Sequence, residues 1–384
     1  MTNERNNMKL LIIGAAGVQV QPAIEHFLKS TEFESITLAD LNLKAVNDIV
    51  EKHQDSRLSA CQMDIFDHDH MVQTMKKVDI VYNSSGPYHL LGLKVLKASI
   101  EAGKHYVDYC DDTEPTLQML ELTEQAKAKN LTAIIGLGVS PGYLNLVAKD
   151  FSDKLDQTDE INMYWSIAQG EPEGPAVIDH MCDVLSGEAI QFLDGEFVKV
   201  PALSGFELEV DMPEPFGRLP TAFVGHPEPA TLPRYIPGVK QVINKYATSI
   251  DEIGFYQGLA ELGLMDKEPV IIKGQKIAPR DLLVNQLFLA SKHAESTIKD
   301  PISAAVLEVK GKEAGELVTY RTKMRGHMAP LTSLPAAFGV QMLARGEITT
   351  RGVMAPEGFT ELLTIIQPLL DTGLIEQETT RILS

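Results

Sequence analysis

Apolar and polar positions come in regular blocks through the first third of the chain, and the period changes after residue 137. Met8 to Ile13 (MKLLII) is an apolar run short enough for a buried strand, and it runs into Gly14-Ala15-Ala16-Gly17. Helical spacing is expected from Val18 to about Lys29, and a second strand over 35–39 ends at Asp40. The cycle repeats: a helix over 43–53; a strand over 58–63 ending at Asp64; a helix over 68–75; a strand over 78–83 ending in Ser84-Ser85-Gly86-Pro87. A helix over 90–102 is closed by Gly103, a fifth strand over 105–107 ends at Asp108, and a helix over 114–129 leads to a sixth strand over 131–135. Six strands with helical crossovers predict a doubly wound α/β sheet of the Rossmann type.

Beyond it the pattern is mixed. Pro141-Gly142 opens a helix to about Leu155, and Ile161, Met163, Trp165 and Ile167 alternate with polar residues as a half-buried strand does. Asp194-Gly195 is a hairpin signal, and alternation over 206–210 and 305–309, with a turn over 309–315 into 317–324, adds further strands. Prolines crowd 213–237, which predicts a long irregular loop. From Ser333 onward the spacing is helical: a helix capped by Ser333 with Pro335 in its first turn runs to Arg345, and a last one spans 357–370. Strands mixed with helices predict an α+β second domain.

Length and apolar content (384 residues, 44% hydrophobic) allow two packed cores. A net charge of −19 without a basic block argues against nucleic acid and anionic membranes, and no apolar stretch approaches the ~20 residues that span a bilayer. The polar start MTNERNN predicts no secretory signal, and three scattered cysteines fit a reducing, cytoplasmic setting with no disulfide framework. No metal site is expected: His226 and Glu228 stand two apart, with Cys182 distant in sequence.

Strand, small-residue turn, helix, strand and acid, in that order, form the layout of a dinucleotide-binding unit. A turn without side chains admits a pyrophosphate to the backbone, and the helix behind it offers free N–H groups. Of the fingerprint glycines only Gly14 is in place; Ala16 and Gln19 occupy the other two positions. Gly14, Ala16, Gly17, Val18 and Gln19 are therefore the candidate phosphate residues. Asp40 lies 26 positions after Gly14, and with Leu41 it is the candidate ribose contact. A 2′-phosphate beside that carboxylate is disfavoured by about 1–4 kcal/mol. The nearest following cation is Lys44, so NAD is expected over NADP. Ligands in such sheets lie beyond the strand C-termini. This adds Asp64 and Ile65 near the adenine, Ser84, Ser85, Gly86 and Pro87 near the second ribose, and Asp108.

Asp111 and Asp112 beside Tyr109 and Cys110, and His226 in the segment GHPEPATLPRY, are the candidate proton acceptors. Tyr88, Glu228 and Arg234 are the candidate substrate contacts, the arginine as a bidentate clamp for a carboxylate.

The N-terminal unit, the run DIVYNSSGPYHLLGLKVLKASIEAGKHYVDYCDD from Asp79, GLGVSPGYLNLVA from Gly136, APRDLL from Ala278 and ARGEITTRGVMAPE from Ala344 resemble the saccharopine dehydrogenase-like family. The chain is most similar to those members that oxidise lysine at its 6-position. The resemblance implies a Rossmann domain over 1–138 with 332–384, an α+β substrate domain over 139–331, a homodimer, and NAD(P)-dependent chemistry on an amino-acid carbon–nitrogen bond. Three readings stay open: oxidative deamination of an amine, reductive condensation of an amine with a carbonyl compound, and a non-catalytic NAD-binding regulator.

Overall fold

The continuous apolar runs are the strands of a parallel sheet. In the computed structural model, which describes residues 8–167, 170, 174–293 and 300–383, these are β1 (Met8–Ile13), β2 (Phe33–Asp40), β3 (Leu58–Gln62), β4 (Ile80–Asn83), β5 (His105–Asp108) and β6 (Thr132–Ile134). All pair in parallel, in the order 3-2-1-4-5-6, and a short strand, Gly352–Met354, adds to β6. Leu10, Leu11, Ile12, Ile80, Val81 and Tyr82 are wholly buried, as expected where helices cover both faces. The order reverses between β1 and β4, the place where such sheets take ligands. The polar start over 1–7 lies outside the described residues.

The chain divides into two units, Met1–Val147 with Ala329–Leu374, and Ala148–Met328 with Ile375–Ser384. The second is built on a nine-stranded mixed sheet. In it Gln157–Ser166 lies between Gln241–Ala247, parallel to it, and Ser303–Glu313, antiparallel. Asp194 and Gly195 join Glu188–Leu193 to Glu196–Pro201 with both residues at positive φ, as a tight hairpin requires.

Several elements differ from expectation. The first helix is Gln21–Leu28, starting three residues late because Pro22 belongs in a first turn and is costly inside a helix. The 213–237 stretch is not a loop. It holds the strand Arg218–Phe223 and the helix Glu228–Tyr235, whose Pro229 sits in the first turn, where no N–H is needed. The late helix spans Met328–Ala344, with Ser333 and Pro335 inside it; the Ser333 hydroxyl donates to the Ala329 carbonyl one turn back instead of capping. The expected helix over 357–370 is two short 3₁₀ segments and Ile366–Asp371. The last ten residues belong to the second unit, where Glu376–Leu383 pairs antiparallel with Glu316–Gly326. No helix among the described residues is long and apolar enough to cross a membrane.

Candidate active site

At the C-terminal edge of the parallel sheet, β1 ends in a turn that only glycine fits. Gly14 has φ +77°, and a Cβ there would lie 2.7 Å from the Ser85 nitrogen and 2.8 Å from the Ser84 carbonyl. The turn runs on through Val20 before the helix begins. The side-chain amide of Gln21 donates to the carbonyls of Ala15 (2.9 Å) and Gly17 (2.7 Å), and holds the turn from behind. Among the described residues the N–H groups of Val18 and Gln19 find no protein acceptor. The buried Oε1 of Gln19 has no partner. Open donors and an orphaned polar atom at a helix-leading turn fit a pyrophosphate. Asp40, at the end of β2, accepts from the N–H of Ala16 (3.1 Å) and of Asn42 (2.9 Å), which ties the turn to the strand end. A carboxylate has about four acceptor positions, so two remain for hydroxyl groups. Leu41 and Val18 are exposed beside it, and Asp64 and Ile65 follow β3, Asp64 exposed.

The ends of β4 and β5 are joined by a buried polar chain. Their register sets Asn83 opposite Asp108. The Asn83 amide donates to the Tyr106 hydroxyl (3.0 Å), which donates to Asp108 Oδ2 (2.7 Å). Asp108 Oδ1 accepts from the N–H groups of Cys110 (3.0 Å) and Gly136 (2.7 Å). Ser85 donates to Asn83, Ser84 donates to the Ile13 and Gly14 carbonyls, and Tyr88, 5% exposed, donates to the Asn83 carbonyl. Gly86 and Pro87 lead into the helix Tyr88–Ala102. Asp108 and Tyr88, expected at the cofactor and the substrate, are both buried in this polar chain. Asp112, 2% exposed, accepts from the N–H of His89 (2.8 Å) at the start of that helix, and Asp111 beside it is half-buried.

Burial lifts the Asp108 carboxyl from 3.8 to about 6, against the opposing pull of its three donors. The folded state therefore keeps a proton that the unfolded chain releases between about pH 4 and 6. The contribution of this group to stability is greatest below about pH 4 and falls by ~3 kcal/mol as pH rises through 6. Asp108→Asn should abolish that fall. Urea unfolding of both proteins from pH 4 to 7 checks it: a wild-type-minus-variant difference that stays level would contradict the assignment.

In the second unit, strand register places Trp165 beside Tyr246 and Met163 beside Asn244 on one face of the sheet. The indole N–H of Trp165 donates to Asn244 Oδ1 at 2.6 Å. Its ring lies 4.7 Å from that of Tyr246 and 5.6 Å from the imidazole of His226, with His180 5.7 Å beyond. His226 Nδ1 is 2.7 Å from Glu228 Oε2, both buried. A carboxylate only accepts, so with Glu228 ionised the ring carries a hydrogen on Nδ1, and the lone pair of the neutral ring is the one on Nε2. The other amide atom of Asn244, Nδ2, and the hydroxyl of Thr231 are buried without a partner. Each such group costs about 1–3 kcal/mol while unsatisfied. Arg234 does not join this cluster. It is exposed, and its Nε donates to the Ala230 carbonyl on its own helix. The sequence alone did not single out Asn244 and Tyr246; the polar Asn244 within the strand QVINKYA was the available signal.

With this geometry in hand, comparison with known proteins is informative. The saccharopine dehydrogenase NADP binding domain matches residues 10–134, and the saccharopine dehydrogenase C-terminal domain matches residues 138–372. The chain belongs to the saccharopine dehydrogenase family. The first match covers the parallel sheet with the Gly14 turn, so an NAD(P)-binding domain of an oxidoreductase family is present. The apo saccharopine dehydrogenase (L-Glu forming) of Saccharomyces cerevisiae superposes over 97% of this chain and 100% of its own, with TM-score 0.71 and 16% identity; it shares the fold. The DAP dehydrogenase of C. glutamicum, solved with DAP, covers 93% of this chain and 96% of its own at TM-score 0.47 and 11% identity.

Proposed function

We propose that this member of the saccharopine dehydrogenase family is an NAD-preferring dehydrogenase that oxidises the carbon–nitrogen bond of an amino acid, as lysine 6-dehydrogenase does. The observation that carries the reading is the buried His226–Glu228 pair in the second unit of a chain whose first unit is a dinucleotide fold. A bound NAD⁺ supplies the hydride acceptor. Hydride leaves an amine carbon only when nitrogen has a lone pair to stabilise the developing cation. A lysine-type ammonium has a pKa of about 10.4, so a residue must take its proton. Nε2 of His226 is the proposed acceptor, and Glu228 orients the ring and steadies the imidazolium. Asp111 and Asp112, at the end of β5, are the other candidate acceptors. The preference for NAD rests on Asp40, with no cation before Lys44.

The test is NADH formation from lysine and related amines, set against NADH consumption with carbonyl–amine pairs. Amine oxidation should accelerate from about pH 7 to 9.5, as the neutral amine becomes more abundant. A flat profile would contradict the deprotonation step. Net NADH consumption alone would favour reductive condensation, and binding without turnover a regulator.

A further inference from the structure

The Asn244 amide is oriented by its neighbour. An indole N–H can only donate, so the atom that meets Trp165 must be the amide oxygen, and the buried group left over is the NH₂. The Asn244 main chain is also fixed, because its N–H donates to Gln191 Oε1 at 2.9 Å and the Gln191 amide donates to the Val224 carbonyl at 3.1 Å. Asn244 is 0% exposed, so its NH₂ is a rigid, buried donor pair without a protein acceptor. The second orphan, the Thr231 hydroxyl, is 1% exposed on the helix Glu228–Tyr235, one turn beyond Glu228. Glu228 bonds His226, His226 lies against Trp165, and Trp165 bonds Asn244. Asn244 is thus part of the aromatic cluster, and Thr231 stands on the helix that supplies Glu228.

We infer that Asn244, with Thr231, is a specificity-determining pair that hydrogen-bonds a carboxylate oxygen of the substrate, so that the second unit selects amino acids over the corresponding plain amines. The inference rests on the proposed amine oxidation and names the substrate group that this cluster reads. A donor pair held without a protein acceptor calls for an acceptor on the ligand. The carboxylate of an amino acid brings one, and its own ammonium group balances the charge.

Trp165 is the only tryptophan of the chain, so its emission reports on this cluster directly. The full-length protein is titrated with L-lysine and with its decarboxylated diamine, with NADH present and absent. L-Lysine should change the emission saturably, and the diamine should need about tenfold more or worse. Asn244→Asp keeps the oxygen that meets the indole and replaces the donor by an anion; it should weaken lysine about tenfold or more and abolish the discrimination. Thr231→Val, which leaves the indole contact untouched, should weaken lysine in the same sense and serves if the first variant does not fold. Equal responses to both ligands, no response to either, or wild-type affinity in the folded variants would overturn the inference. If amines are oxidised with the variants unaffected, this assignment falls and the dehydrogenase reading stands. If lysine binds as described but no amine yields NADH, the reverse holds.

Discussion

His226→Asn lowers kcat for amine oxidation by about 10²–10⁴-fold while NADH binding stays at the wild-type level. Asparagine is the informative replacement, because its amide N–H reaches a position close to that of Nδ1 and keeps a donor on Glu228, while nothing remains at the Nε2 position to accept a proton. Alanine does something different. It leaves Glu228, which is 0% exposed, with its His226 bond broken. Losing a hydrogen bond to a buried carboxylate costs about 1–3 kcal/mol. The alanine variant should therefore lose both rate and stability, and the asparagine variant mostly rate. Steady-state kinetics with thermal unfolding separates the two. A kcat in the asparagine variant within a few-fold of wild type would remove His226 from the proton-transfer step.

Gly14→Val abolishes measurable NADH binding and destabilises the first unit. Two penalties act together. A β-branched residue at φ +77° costs about 1–3 kcal/mol in backbone strain. Its Cβ would sit 2.7–2.8 Å from backbone atoms of Ser84 and Ser85, which cannot move aside as a side-chain tip can, and such overpacking adds about 1–3 kcal/mol. Set against a typical total stability of about 5–15 kcal/mol, that is a large fraction. Gly17→Ala is the control. Gly17 has no positive φ, and a Cβ there would meet only the Gly14 carbonyl oxygen, at 3.2 Å. It should bind NADH within a few-fold of wild type. NADH fluorescence titration and urea unfolding check both; equal behaviour of the two variants would show that the turn geometry does not control the cofactor.

The two halves of the chain were not equally legible. Strands of the parallel sheet are buried on both faces, so each is an unbroken apolar word such as LLII or IVY, readable without knowing its partners. The glycine turn and Asp40 follow from the same local grammar. Glu376–Leu383 (EQETTRIL) carries no such signal: almost every residue is exposed, and it is a strand only because Glu316–Gly326 offers it a free edge. The prolines over 213–237 misled in the opposite direction: Pro229 suits the first turn of the helix Glu228–Tyr235, and Pro233 lies inside it, close to its end.

His226 and Glu228 could be paired on paper, being two residues apart. The chain Asn83–Tyr106–Asp108 and the contact Trp165–Asn244 could not, because each joins strands whose register is set by the whole sheet. The sequence by itself determined the parallel sheet, the dinucleotide turn and the family, all of which depend on residues near one another along the chain. Only the tertiary structure decided which polar groups are buried, which of them are satisfied and which are left without a partner. Burial and hydrogen-bond balance are properties of packed surfaces, and no stretch of sequence carries them alone.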